Sequence, residues 1–447
     1  MTENNSYSLV CGLEIHTELK TQSKMFCGCK NDPFGAAAPN IHTCPVCLGM
    51  PGALPVANAK AIEWTIKLGL FLGCKINLTS KFDRKNYFYP DLAKGYQISQ
   101  YDLPFCYDGL VETSYGPVRI TRIHLEEDTA KLQHTAIDGK KVTLIDFNRS
   151  SVPLVEIVSE PDITCAAQAV EYARKIREAV RYLGIGDADM EKGGMRLEAN
   201  TSLQTPAEKA QNKLPNYKVE VKNINSFNFM SQAITYEINR QTKILKAGEK
   251  VPQQTLGFDS ATGKTFVQRS KEDAADYRYF PDPDLPTIKF TPEQIATWRQ
   301  ELPVKPEEIL ANWEKTYQLS PKYGQNFLDT PETFTWANTL WQQAQQTNCK
   351  VDQLANFIVN KKISWDYSTK AEKILAVFHQ LTQMDQVDET EIAQAVEAVF
   401  AANPAEVIRF KAGEQKLQGF FIGQIIKKLN KKVDPSQILK FLRDKKN

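Results

Sequence analysis

Two unlike sets of residues whose types could bind metal stand close together in "VCGLEIHTELKTQSKMFCGC" near the start of the chain. Cys27 and Cys29 are followed, after fourteen intervening residues, by Cys44-Pro-Val-Cys47. Two close pairs at this separation can each give two thiolates to one tetrahedral Zn²⁺, and the loop between them gains its order from the metal. Such a site is closed and structural, with no open position for catalysis. Reduced core cysteines or a redox pair are the alternatives, and His42, inside the loop, could replace one thiolate. The same stretch sets Glu14, His16 and Glu18 at alternate positions among Leu13, Ile15, Thr17 and Leu19, the pattern of a strand with one face in a core and one charged face outward.

A charged strand face is by itself usually only solvated. Here the pattern recurs, with Glu156 and Glu160 in "LVEIVSEPD", Arg196, Glu198 and Asn200 in "MRLEANTSL", and Lys218, Glu220 and Lys222 in "KVEVKN". Together these strands predict a sheet whose open side is lined by carboxylates interspersed with Arg and Lys. That surface suits Mg²⁺ and phosphate groups, because hard divalent cations take oxygen ligands and phosphates need cations and backbone donors beside them. "RIHLEEDTAKL" adds Glu126, Glu127, Asp128 and Lys131; the alternation ends there, so strand parity does not choose between Glu126 and Glu127. "KFDRKNYFYPDL" adds Arg84 and Lys85 among aromatic residues. On the alternation alone, Glu18 reads as an ordinary polar strand residue.

The elements that must position these groups follow from length and pattern. A chain of 447 residues accommodates about three domains, each able to bury a core. Up to about residue 285, short β-like runs alternate with Gly, Pro, Asn and Asp punctuation and a few helices, which predicts an α+β domain with a mixed or antiparallel sheet. One helix is expected in "CAAQAVEYARKIREAVRYLG", stopped by Gly184, and another after Ser226. "FPDPDLP" marks the expected end of this domain, and helix follows almost throughout, giving expected boundaries of 1–288, 289–370 and 371–447.

Other classes are excluded. "GFDSATGKT" is not a P-loop, since five residues separate Gly257 from Gly263 where the motif has four, and dinucleotide-binding, zinc-protease and nucleophile-elbow motifs are absent. No apolar run approaches the roughly 18 residues of a membrane span, and the polar start lacks the plan of a signal peptide, so a cytoplasmic protein without membrane contact is expected. The nine cysteines, an odd number with four clustered, argue for metal binding over a disulfide framework. The net charge of +2 carries no global nucleic-acid signature, but the closing segment collects Lys427, Lys428, Lys431, Lys432, Lys440, Arg443, Lys445 and Lys446, which reads either as a phosphate-tracking tail or as a solvated helix face.

Taken together, "GLEIHTEL", "SKFDRKNYFYPDLAKGYQISQYD", "RIHLEED", "LVEIVSEPD", "VEVKNINSF" and "DYRYFPDPDLP" resemble the B subunit of the bacterial aspartyl/glutamyl-tRNA amidotransferases, densely over residues 7 to 290 and thinly beyond, where "GFFIGQIIKKLNKKVDP" resembles the family's tRNA-binding tail. The resemblance implies a cradle-like α+β catalytic domain followed by helical and tail domains. It also implies a heterotrimer with an amidase-type A subunit that releases ammonia from glutamine and a small C subunit. The B subunit would use ATP to phosphorylate the side-chain carboxylate of Glu-tRNA(Gln) or Asp-tRNA(Asn), so that ammonia can attack it. Carried over by motif, Glu14, His16, Glu127, Glu156 and Glu198 would hold Mg²⁺, with Glu14, His16, Glu127 and Lys85 catalytic. Lys85, Arg149, Arg196 and Arg278 would meet phosphate, a structural ion pair being the alternative for each. Family members differ in keeping the zinc cysteines; this chain has Cys27, Cys29, Cys44 and Cys47. It departs from the family at Ala130, where glycine is usual, and at Glu198, where Asp is usual. The rival reading is a non-catalytic, zinc-containing tRNA-binding scaffold; a stand-alone ATP-grasp-like ligase has no motif behind it.

Overall fold

A strand that alternates apolar and charged residues needs a second layer to receive its apolar side. The computed structural model, which describes residues 7–270, 276–383, 385–431 and 433–445, shows that layer. Ser8–Glu18 lies in the middle of a nine-stranded sheet. From one edge the order is Lys264–Ser270, Gln254–Asp259, Val219–Ile224, Met195–Gln204, Ser8–Glu18, Pro153–Ser159, Val118–Glu127, Cys106–Val111 and Lys75–Ile76. Neighbours are antiparallel except Val219–Ile224 and Gln254–Asp259, which run parallel and are connected through the helix Phe227–Lys246. The fold is therefore α+β, as the alternation of element types predicts.

On one face Leu13, Ile15, Ile123, Ile157 and Leu197 are fully buried, in one cluster with Ile66, Ile176 and Ile234. The last three come from the helices Ala59–Phe71, Ala166–Tyr182 and Phe227–Lys246. Each such side chain contributes about 1.5–3 kcal/mol on burial. Because the helices cover this side, the polar residues of the same strands share the other. The helix starts and stops are local: the Ser226 side chain accepts the Phe229 N–H, and Gly184, at φ +67°, follows the end of Ala166–Tyr182.

The proline run does not end the first domain. Phe280–Pro281 is an edge strand beside Asp83–Asn86, and Arg84 binds Asp282 and Asp284, each at 2.8 Å. Ile288–Lys289 pairs with Thr79–Ser80, and Phe290, Ile295 and Trp298 join the first core. One compact unit thus runs on to Ile309, beyond the expected 288, and includes Leu328–Phe334. The second unit, Leu310–Phe327 with the chain from Thr335 onward, is helical and turn-linked among its described residues and is not divided near 370. Within it, the helices Glu389–Ala402, Pro404–Lys411, Lys416–Leu429 and Pro435–Asp444 surround Phe410, Phe421, Ile425 and Ile438.

The basic closing segment is partly neutralised. Lys431 binds Glu391 at 2.7 Å, Lys440 binds Glu389 at 3.2 Å and Lys445 binds Glu397 at 3.0 Å, while Lys427, Lys428 and Arg443 are exposed. Lys432 and Lys446 lie outside the described residues. No helix among the described residues is long and apolar enough to cross a membrane.

Candidate active site

Strand register builds the site. Across the sheet, His124, Glu156, His16 and Arg196 stand opposite one another in one row, and Glu14 faces Glu198 in the next. Directly opposed side chains on one face are about 4.5–5.5 Å apart at Cβ, close enough to act together. They line a cavity of about 520 Å³ with Lys85, Glu126, Asp128, Glu220 and Lys222, and with the rings of Tyr87, Tyr101, Tyr277 and Tyr279.

Two oxygen-rich clusters occupy this face. In the first, Glu156 Oε2 lies 3.2 Å from both His16 Nε2 and His124 Nε2, and Glu126 is 3.9 Å from His16 and 3.5 Å from His124. In the second, Glu14, Glu198 and Glu220 bring carboxylate oxygens within 4.8 Å of one another. Asn200 Nδ2 donates to Glu14 at 2.9 Å, and Lys222 Nζ binds Glu198 at 2.9 Å and Glu220 at 3.3 Å.

The electrostatics differ between the clusters. Burial opposes the charge on Glu156, but His124 and His16 outweigh it and hold its carboxyl well below the usual carboxylate value. Burial likewise opposes protonation of His124, yet Glu156 and Glu126 bring that imidazole up to about 9. His16 is raised as well, with Glu156 and Glu198 overcoming burial. Glu14 is pushed up, first by burial and then by Glu156 and Glu198.

Both clusters fit a hard divalent cation. His16, Glu126 and Glu156 have potential ligand atoms within 4.8 Å, and His16 Nδ1 is a buried atom with no hydrogen-bond partner among the described residues. His16 Nε2 and Glu156 Oε2 are 3.2 Å apart, near the roughly 3 Å ligand spacing of a bond length near 2.1 Å. Lys222 is a single ammonium against the three carboxyl groups of Glu14, Glu198 and Glu220, and the charge it leaves over is what a cation would neutralise.

Several expected residues stand elsewhere. The strand Val118–Glu127 continues one residue beyond the visible alternation, so Glu126 shares the open face with His124, and Glu127 points away. Glu127 accepts the Ile98 N–H at 3.0 Å and binds Lys94 at 2.5 Å. Glu126, and not Glu127, therefore stands in the cluster with His16 and Glu156. Arg278, with φ +44° and a side chain 80 % exposed, binds Asp276 at 3.2 Å and lines an adjoining cavity of about 1260 Å³ rather than the carboxylate cavity. The Arg149 guanidinium donates to the Thr129 and Ala130 carbonyls at 2.9 and 2.8 Å, which directs it to backbone rather than to the cavity. Arg196 lines the cavity and binds Asp128 at 2.9 Å. Lys85 lines it too, 4.9 Å from the Tyr277 ring centre and without a carboxylate ion pair among the described residues.

Glu18 is not an ordinary polar residue. It is buried, and its carboxyl lies against that of Asp128; burial and Asp128 push it well above the usual value. Asp128 is held down at about 2, since Arg196 and Arg149 overcome its burial. The stability from Asp128 is present above the ordinary value of about 3.9 and is lost as pH falls toward 2. The Glu18 contribution has the opposite sign, present below about 4.3 and lost as pH rises through its folded value. Asp128→Asn, which leaves Arg196 without its carboxylate, is expected to cost roughly 3 kcal/mol, while Glu18→Gln should leave stability at about pH 8 unchanged or raise it. Urea melts of the two variants check this; equal losses would contradict the shared-proton arrangement.

The cysteines also converge. Cys27, Cys29, Cys44 and Cys47 bring their sulfurs within 4.8 Å, with Cys44 and Cys47 3.9 Å apart. Four sulfurs at about 2.3 Å around one Zn²⁺ would be about 3.8 Å apart, so the set fits that ion. Cys27 beside it, the Cys44 N–H and Lys24 bring the Cys47 thiol down to about 5 against burial, while Cys27 itself is driven up.

The sequence places Glu126, Asp128, Glu220 and Lys222 on the open face without giving them individual roles, and leaves His124 unnoticed. The available signal is parity: His124 and Glu126 alternate as Glu14 and His16 do, and Glu220 and Lys222 repeat it.

Fold and face together define a class: an α+β domain with an acidic, histidine-bearing sheet face, followed by a helical unit. Residues 9–296 match the GatB/GatE catalytic domain, and residues 342–445 match the GatB domain. The chain is 40 % identical to the B subunit of the aspartyl/glutamyl-tRNA(Asn/Gln) amidotransferase of Thermodesulfovibrio yellowstonii, over 98 % of this chain and 100 % of that one. It is 41 % identical to the protein of the same name from Persephonella marina, over 97 % and 98 % of the two chains. The chain belongs to the family of aspartyl/glutamyl-tRNA(Asn/Gln) amidotransferase B subunits. The similarity extends through the helical unit, where motifs alone are thin.

Proposed function

We propose that this chain is the carboxylate-activating subunit of a cytoplasmic, ATP-dependent tRNA amidotransferase. It would work with an ammonia-releasing amidase-type A subunit and a small C subunit on Glu-tRNA(Gln) or Asp-tRNA(Asn). The observation that carries the reading is that two acidic clusters on one open sheet face share a cavity with the Lys85 ammonium. A carboxylate is a poor electrophile, so activation must come first. An oxygen of the substrate side chain attacks the γ-phosphorus of ATP and ADP leaves; ammonia then attacks the acyl carbon and inorganic phosphate leaves, giving the amide. Phosphoryl transfer of this kind depends on positioning and charge neutralisation more than on a covalent protein residue.

His16, Glu126 and Glu156, and separately Glu14, Glu198 and Glu220, would hold Mg²⁺, which supplies charge neutralisation at the phosphates. Lys85 has no carboxylate ion pair to break among the described residues and is the cation best placed to meet the transferring phosphoryl group. Arg196 stays oriented by Asp128 at the cavity wall. The adjoining cavity, rimmed by Phe88, Tyr89 and Phe280, offers aromatic faces on which bases of the nucleotide or tRNA end can stack. Cys27, Cys29, Cys44 and Cys47 would hold a structural Zn²⁺.

The test is reconstitution with the A and C subunits, misacylated tRNA, ATP and glutamine. Amide product that requires ATP and this chain is expected. Complete assembly without ATP-dependent product would overturn the reading in favour of a scaffold.

A further inference from the structure

Lys24 is fully buried, yet no carboxylate pairs with it among the described residues. Its ammonium instead donates to the Phe147 carbonyl at 3.0 Å and to Cys47 Sγ at 3.8 Å. A buried ammonium without a compensating anion is costly. Four thiolates around one divalent ion carry a net negative charge of two, and the side chain reaches directly into that group.

The surroundings make this contact a strap. The Lys24 N–H donates to the Cys29 carbonyl, so the residue also closes the turn that holds Cys27 and Cys29. On the far side, the Met25 N–H donates to the Ser151 carbonyl, and Ser150 Oγ donates to the Cys47 carbonyl at 2.9 Å. The bridged segment 147–151 contains Arg149, whose guanidinium holds the Thr129 and Ala130 carbonyls just after Asp128. A continuous path therefore joins the cysteine knuckle to the wall of the carboxylate cavity.

We infer that Lys24 is the built-in counter-charge of a metal–tetrathiolate knuckle and, through Phe147, the positioning residue that fixes the Arg149 segment to it. The inference rests on the zinc reading of the four cysteines. The ammonium stabilises the Cys47 thiolate as a ligand, and the loaded knuckle in return supplies the anion that makes burial of Lys24 tolerable.

The experiment uses the assembled complex, grown with zinc, and measures zinc per chain and its loss to a chromogenic chelator. Wild-type protein should retain roughly one zinc ion per chain; a zinc-free wild type overturns the zinc reading itself. With zinc present, Lys24→Met should release it to the chelator at roughly tenfold lower chelator concentration, and Lys24→Arg should be closer to wild type. Wild-type-like retention in Lys24→Met overturns the role of Lys24 and leaves the zinc reading standing. A measurement on the unmutated protein covers the case in which Lys24→Met does not fold. Stripping zinc should accelerate amide hydrogen exchange at residues 147–152 by roughly tenfold; unchanged protection there overturns the strap.

Discussion

Glu156→Gln and Glu126→Gln should each lower ATP-dependent amide formation by about a thousandfold while tRNA binding is retained. Glu156 is the nearer partner of both His16 and His124, so the amide would leave the two imidazoles with Glu126 alone and would remove a proposed Mg²⁺ ligand. Glu126 completes the same cluster and accepts a hydrogen bond from Ser99 Oγ at 2.9 Å, which holds its carboxylate toward the cavity. Glu127→Gln is the informative control. Its partners are Lys94 and the Ile98 N–H, so it should lower thermal stability without changing Mg²⁺ affinity. Calorimetric titration of Mg²⁺ into the three variants separates the possibilities. Loss of Mg²⁺ binding in Glu127→Gln, with retention in Glu126→Gln, would reverse the facing of these two residues.

Lys85→Met should lower kcat by about a hundredfold or more and leave thermal stability unchanged or slightly raised. Most substitutions of an enclosed charged residue destabilise because they break a pair. Lys85 has no carboxylate ion pair among the described residues, and it packs beside Tyr277, so a thioether of similar length fits the same surroundings. Burial opposes its charge, yet Glu126 and the neighbouring Tyr279 and Glu156 raise it above the usual lysine value, so the ammonium is present throughout the neutral range. The field of Glu126 and Glu156 keeps Lys85 charged without a direct ion pair, which leaves its ammonium free to meet an anion that enters the cavity. Melting curves together with single-turnover rates of acyl phosphate formation check the split. A large stability loss with unchanged turnover would make Lys85 a structural residue.

Much of this arrangement is legible in the residues themselves. Alternation in four strands locates the open face, and Gly184 and the Ser226 cap bound their helices correctly because those signals act within a few residues. Where the reading fails, distant partners decide. Glu127 looks equivalent to Glu126 because nothing local shows that the strand persists until Glu127 meets Pro153. Glu18 reads as ordinary because Asp128 arrives from another part of the chain. The anchoring of Arg149 to two backbone carbonyls has no sequence signature. "FPDPDLP" carries a sound local signal, since proline belongs at sheet edges as well as in linkers, and pairing with Asp83–Asn86 settles which it is.

The register of the first strand has a consequence for how the protein comes into being. His16 is paired with Glu156 on one side and Arg196 on the other, partners about 140 and 180 positions along the chain. Both acidic clusters straddle these pairings, so neither exists until the ribosome has delivered strands from far downstream. Loop closure over such separations is slow, and the waiting first strand has both edges unsatisfied. The newborn chain should therefore have a prolonged interval of vulnerability to aggregation, and chaperone capture should be strongest on nascent chains that stop before Met195–Gln204.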